Sequence, residues 1–109
     1  MQVIFLPEVL EYFDNLVVIL YKKKYFGFKE TSRKYVLELY DDIVITLPIR
    51  VHKQAPPYFD RFGKNMKYAF FKKNKSTTWY VFFKTYEENG EPVYLVRYIA
   101  NNHTVAQYL

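Results

Sequence analysis

The sequence predicts an α+β fold in the order β-α-α-β-β-β, a helical hairpin packed on one small antiparallel sheet. Three observations predict it. Two stretches in the first half repeat apolar residues at the spacing of a helix face. Three stretches in the second half are rich in aromatic and β-branched residues, as strands are. Breaks rich in Pro, Gly or Asn separate them. With 109 residues, the chain is expected to form a single domain over 1–109. A 50% hydrophobic share gives it a real core, with little stability to spare.

The elements follow in order. Gln2 to Leu6 is a short apolar strand closed by Pro7. Pro7 suits the first position of a helix, where its missing N–H has no partner anyway. Glu8 and Glu11 favour the positive end of the helix dipole, and Lys22, Lys23 and Lys24 its negative end. Between them Val9, Leu10, Phe13, Leu16, Val17 and Leu20 form one face, so the first helix is expected over Pro7 to Lys24. Gly27 breaks the pattern, and Thr31 or Ser32 is the expected N-cap of a second helix. That helix presents Tyr35, Val36, Leu39, Tyr40, Ile43 and Leu47, and Pro48 ends it. Residues 48–65 hold Pro48, Pro56, Pro57 and Gly63 without a sustained period, and read as a loop lying over the domain.

Strands are expected over Lys67 to Lys73, Thr77 to Tyr86 and Val93 to Ala100. Asn74-Lys75-Ser76 joins the first pair. Asn89-Gly90 lies in the second connection, a hairpin signal because both residues tolerate positive φ. Alternation sets Trp79, Val81 and Phe83 on one face of the central strand and Tyr80 and Phe82 on the other. Both sets are apolar, so this strand is expected to be covered on both sides. The first strand joins the three-strand meander at an edge.

Composition narrows the chemistry. There is no cysteine, which excludes disulfides and thiolate metal sites. Two histidines, His52 and His103, are too few for an ordinary structural zinc site, and neither a metal nor a cofactor is expected. The N-terminus lacks a basic region ahead of an apolar stretch, so no signal peptide is expected. The longest apolar run, Leu16 to Tyr21, is too short to span a bilayer. The expected location is the cytoplasm. Tyrosine dominates the aromatics, 12 Tyr and 10 Phe against 1 Trp, and its ring packs while its hydroxyl stays wet.

Charge is unevenly placed. The net value is +5, yet residues 1–49 carry six Lys/Arg against seven Asp/Glu and residues 50–109 carry ten against four. Between Arg50 and Lys75 there are eight bases and one acid, Asp60. Such an excess concentrates anions, and nucleic acid is the commonest anionic partner.

The element order, the apolar strand Trp79-Tyr80-Val81-Phe82-Phe83, the strand Leu95-Val96-Arg97-Tyr98-Ile99 and the polar ending with His103 and Tyr108 resemble the RelE/ParE superfamily of bacterial toxins. The layout covers most of the chain, and the more specific motif its last third. The resemblance implies the toxin of a type II toxin–antitoxin pair, held inactive by a small cognate antitoxin. In the RelE branch the toxin enters the ribosomal A site and cuts messenger RNA without a metal. In the ParE branch it inhibits DNA gyrase and cuts nothing. A third reading needs no toxicity: a basic, aromatic sheet that binds RNA or protein.

RelE-type cleavage requires proton transfer to and from ribose and leaving oxygens, with stabilisation of extra negative charge on phosphorus. His103 has the right pKa range and follows the last strand; the alternative is an exposed residue in a polar tail. Tyr108 matches the family's late Tyr, or else pins the tail to the sheet. Lys67 and Lys73, on one face by alternation, are the expected phosphate clamp, with Lys64 reaching in from the loop. Lys72, on the other face, and Lys75, at the turn, are further RNA contacts. Arg97 interrupts an apolar strand and should need a ligand or a carboxylate partner. His52, beside Arg50 and Lys53, joins the site only if its loop folds over the sheet. Asn102 could hydrogen-bond a phosphate or base, but Asn101-Asn102 stands where RelE-type toxins often carry Arg. No Glu lies in the Lys67–Lys73 strand, so catalysis would rest on His103, Tyr108 and lysines.

Overall fold

The structure, a computed structural model, describes residues 2–23 and 28–109. Strand β1 (Gln2–Phe5) leads through Leu6 into helix α1 (Pro7–Lys22). Pro7 opens that helix, Glu8 lies in its first turn, Lys22 in its last, and Val9, Phe13 and Leu16 are buried. Lys24 and Gly27, the expected helix end and break, lie outside the described residues. Helix α2 (Lys29–Thr46) starts earlier than expected. The N–H groups of Thr31 and Ser32 already donate to the Phe28 carbonyl, so both residues sit inside the first turn. Neither is the N-cap: Ser32 is fully buried, and its hydroxyl has no hydrogen-bond partner among the described residues. The helix ends at Thr46 and tightens into a 3-10 turn, Leu47–Ile49, that contains Pro48.

The sheet has five strands in the order β1-β5-β4-β3-β2. Strands β3 (Lys67–Lys72), β4 (Thr78–Glu88) and β5 (Glu91–Asn101) form the expected antiparallel meander. Two features correct the expectation of a purely antiparallel sheet of four strands. β1 does take an edge, but runs parallel to β5, with Gln2 opposite Val93 and Phe5 opposite Val96. A parallel neighbour requires a long crossover, which the two helices and the meander supply. The proline-rich segment also adds a two-residue strand, β2 (Lys53–Gln54), against β3. Two residues are too few to show a period, which is why sequence reading saw only a loop there. At the β4–β5 turn Asn89 (φ 54°) and Gly90 (φ 80°) both take positive φ, as a tight two-residue hairpin needs.

Through its middle, Val81 to Phe83, β4 is covered on both faces, as expected. On one side Trp79, Val81 and Phe83 join α1, α2, Ala69, Phe71, Val96 and Ile99 in the main core. The Trp79 indole N–H donates to the Tyr35 hydroxyl at 2.9 Å, tying α2 to the sheet. On the other side a 3-10 helix, Pro57–Phe62, packs with the short helix α3 (Asn102–Val105) on Phe82. Phe59, Met66, Phe82, Ala100 and Val105 are buried there, and the Phe59 and Phe82 rings stack at 4.3 Å. Among the described residues no helix is long and apolar enough to cross a membrane.

One irregularity shapes the far side. Phe82 pairs with Tyr98, but Phe83 pairs with Val96, so Arg97 is the extra residue of a β-bulge. The bulge aims Arg97 at the 3-10 helix, where its Nε donates to the Phe62 carbonyl at 3.0 Å. No carboxylate pairs with it among the described residues. The chain passes close at Gly63 (φ 152°), where a Cβ would lie 2.6 Å from the Arg97 Nε. Gly63→Ala is therefore expected to cost about 1–3 kcal/mol, from a φ that L residues avoid and from displacement of Arg97. Urea unfolding of the two proteins, followed by circular dichroism, measures that loss.

Candidate nucleic-acid interface

The short 3-10 helix and tail cover only part of the far face of the sheet. Beyond them a corner of β3 and β4 stays bare. Alternation places Tyr68, Phe70 and Lys72 of β3 on this face, and pairing sets Phe70 opposite Tyr80 and Lys72 opposite Thr78. Lys53 of β2 lies opposite Tyr68 and joins them. With Lys75 from the β3–β4 turn and Leu109 from the tail, these residues line a groove of about 390 Å³. Phe70 is 45% exposed, unusual for a sheet phenylalanine, and the Lys53 Nζ stands 5.7 Å from its ring centre. Lys53, Lys72 and Lys75 form no ion pair among the described residues, so their charge faces solvent. Flat apolar rings bordered by cations are suited to bases and phosphates.

The expected site residues divide between places. Lys72 and Lys75 belong to this groove. Lys67 and Lys73 point to the helix side, where the Lys73 Nζ stands over the Tyr35 ring at 5.5 Å. Six residues of strand also separate them by about 20 Å, so they cannot clamp one phosphate together. Lys64 lies exposed before β3, at the opposite end of that strand from Lys72 and Lys75. His52 turns to the helix side too: its Nε2–H donates to the Leu47 carbonyl at 2.7 Å, and its ring packs on Phe83 and Tyr94.

The C-terminal candidates are spread in the same way. The Tyr108 ring stacks on Tyr58 at 3.6 Å with a 6° interplanar angle, which is the tail-pinning alternative. Asn102 is committed as a latch. Its Oδ1 accepts from the Thr78 N–H at 2.9 Å, and its Nδ2 donates to the Ser76 carbonyl at 3.1 Å. It therefore fixes the turn that carries Lys75. His103 is exposed on α3, its backbone N–H bonded to the Asn101 Oδ1 at 3.0 Å. Its imidazole has no partner among the described residues, and it does not line the groove. No group of three or more His, Asp or Glu that could hold a metal ion occurs among the described residues.

Sequence reading missed Lys53, Tyr68, Phe70 and Tyr80. The signal was present in part. Taking Asn74-Lys75-Ser76 as a turn sets Lys72 opposite Thr78 and hence Phe70 opposite Tyr80. What the sequence does not show is that the covering segment leaves them partly open.

A second cleft, of about 530 Å³, opens where β1 ends and leaves β5 beyond Val96 without a strand beside it on that edge. Arg61, Arg97, Tyr12 and Tyr98 line it together with an apolar wall. Burial, and then the nearby Tyr98, push the Tyr12 hydroxyl up to about 12. Burial, and then Tyr58, also raise Tyr98.

No family model matches the chain, and neither a curated protein nor a solved structure matches it.

The Tyr12 shift gives stability a defined pH dependence. Its folded pKa lies above the unfolded value of 10.0, so the folded state keeps a proton that the unfolded state releases. That contribution is whole below pH 10 and lost progressively up to about pH 12. Ultraviolet titration of tyrosinate should show Tyr12→Phe removing a group that ionises near pH 12, and the variant's stability should fall less steeply across that window.

Proposed function

We propose that this protein binds single-stranded nucleic acid on the bare corner of its sheet. RNA is the first candidate, because the sequence resemblance implies messenger RNA. The observation that carries the reading is the exposed Phe70 ring opposite Tyr80, bordered by three lysines in one groove that form no ion pair among the described residues. Bases stack on the rings, and Lys53, Lys72 and Lys75 follow the phosphates. Fluorescence anisotropy with a labelled single-stranded RNA tests it. Phe70→Ala should weaken binding by about 1–3 kcal/mol. Three phosphate contacts should give a log-log salt slope of about −2. Equal binding of a duplex, or an unchanged affinity in Phe70→Ala, would sink the reading.

A second reading is a RelE-like, ribosome-dependent endonuclease of a toxin–antitoxin pair, acting in the cytoplasm and restrained by a small antitoxin. Two observations favour it: β1, two helices and a three-strand meander follow in the expected order, and His103 is exposed, its imidazole without a partner among the described residues. In this reading the groove holds the message and His103 serves as acid or base. Primer extension on a defined message should then show new 5′ ends that require both programmed ribosomes and His103, and that vanish in His103→Ala. Intact message with inhibited supercoiling would instead point to ParE-like action on gyrase.

A further inference from the structure

We propose that the cleft between α1 and the Arg97 end of β5 is a binding site for a small organic carboxylate, an apolar body carrying one negative charge. It lies apart from the nucleic-acid groove: the two share no lining residue.

Size and wall composition come first. A volume of about 530 Å³ lies within the usual range for small-molecule sites. Leu6, Val9, Ile99 and Ala100 make the wall apolar, and the Phe62 and Tyr98 rings, stacked on each other at 3.7 Å, close one side rigidly. Apolar walls with a few convergent polar groups are what a small ligand needs.

Arg97 gives the site its charge preference. It is half-buried and held by three separate features: the β-bulge, the close passage of Gly63, and the Nε bond to the Phe62 carbonyl. Only the Nε is used. The two Nη groups have no hydrogen-bond or ion-pair partner among the described residues. A half-buried guanidinium that is fixed and yet unpaired is uncommon, since such groups usually face a carboxylate. Its planar fork is shaped to bind one in bidentate fashion. Arg61 adds a second cation on the same wall, held by its own Nε to the Tyr58 carbonyl at 3.0 Å.

The acids set the ligand's charge. Glu8 is the one acid lining the cleft, and it pairs with neither arginine among the described residues. Two guanidiniums and one carboxylate leave the cleft with a single positive charge in excess. That balance favours a monoanion over a phosphate dianion. The Tyr12 and Tyr98 hydroxyls line the same cleft and are protonated at neutral pH, so each can donate to a ligand oxygen.

The test is a titration of the isotope-labelled protein with 3-phenylpropionate, followed by NMR. Acetate, 3-phenylpropanol and phenyl phosphate are titrated in parallel. Saturable shifts centred on Ile99, Ala100 and Thr104 are expected, with at least tenfold weaker binding of all three comparison compounds. Arg97→Lys keeps the charge but loses the fork, and should lower affinity at least tenfold. Arg61 is exposed, so Arg61→Gln keeps the fold and should weaken binding at least threefold even if Arg97 variants do not fold. Lys72→Glu should leave binding unchanged. Equal binding of the alcohol, tighter binding of phenyl phosphate, shifts centred on the Lys72 groove, or full affinity in Arg61→Gln would each overturn the proposal.

Discussion

The structure depends on one constraint: β4 is apolar on both faces and must be covered twice. Trp79, Val81 and Phe83 require a layer on one side, and Phe82 requires another. The helical hairpin meets the first need with two long elements. The second is met by six residues of 3-10 helix and a short tail, held by stacked rings rather than by length. Because the two covers are unequal, the sheet buries a larger core on its helix side and is only partly covered on the other. The bare corner with Phe70 and Tyr80 follows from that inequality.

The same scarcity of covering chain explains the bulge. A regular β5 would put Arg97 on a covered face with no partner in reach. One extra residue lets Val96 keep its place in the main core and Tyr98 its place beneath Phe62, while the guanidinium leaves between them. Burial costs about as much for an unpaired cation as several buried methyl groups recover. The Phe62 carbonyl and the open cleft offset that cost by giving the charge one bond and access to solvent.

Much of the fold was legible in the sequence, because it rests on patterns several residues long. The Val9, Phe13, Leu16 stripe and the Val36, Leu39, Ile43 stripe marked both buried helix faces, and Asn89-Gly90 marked its hairpin. β2 was not legible, since a two-residue strand exists only through its partner. Nor was the direction of β1, which is decided by where the helices return the chain. The candidate site was legible only in part. Lys72 and Lys75 could be named from charge and strand position. Composition alone does not tell a solvated lysine from one beside an exposed ring. Asn102 and Tyr108 look functional in a polar tail, but the contacts they make, with Ser76, Thr78 and Tyr58, lie far away in sequence.

Trp79 makes the two covers of the sheet separately observable. It is the sole indole, almost fully buried on the helix side and hydrogen-bonded to Tyr35. Its emission wavelength therefore reports whether α2 remains seated on the sheet. The opposite cover contains only Phe and Tyr rings in close stacks, which contribute to near-ultraviolet dichroism but leave indole emission untouched. Two optical signals from one unmodified chain thus distinguish loosening of the aromatic cover from departure of the helices.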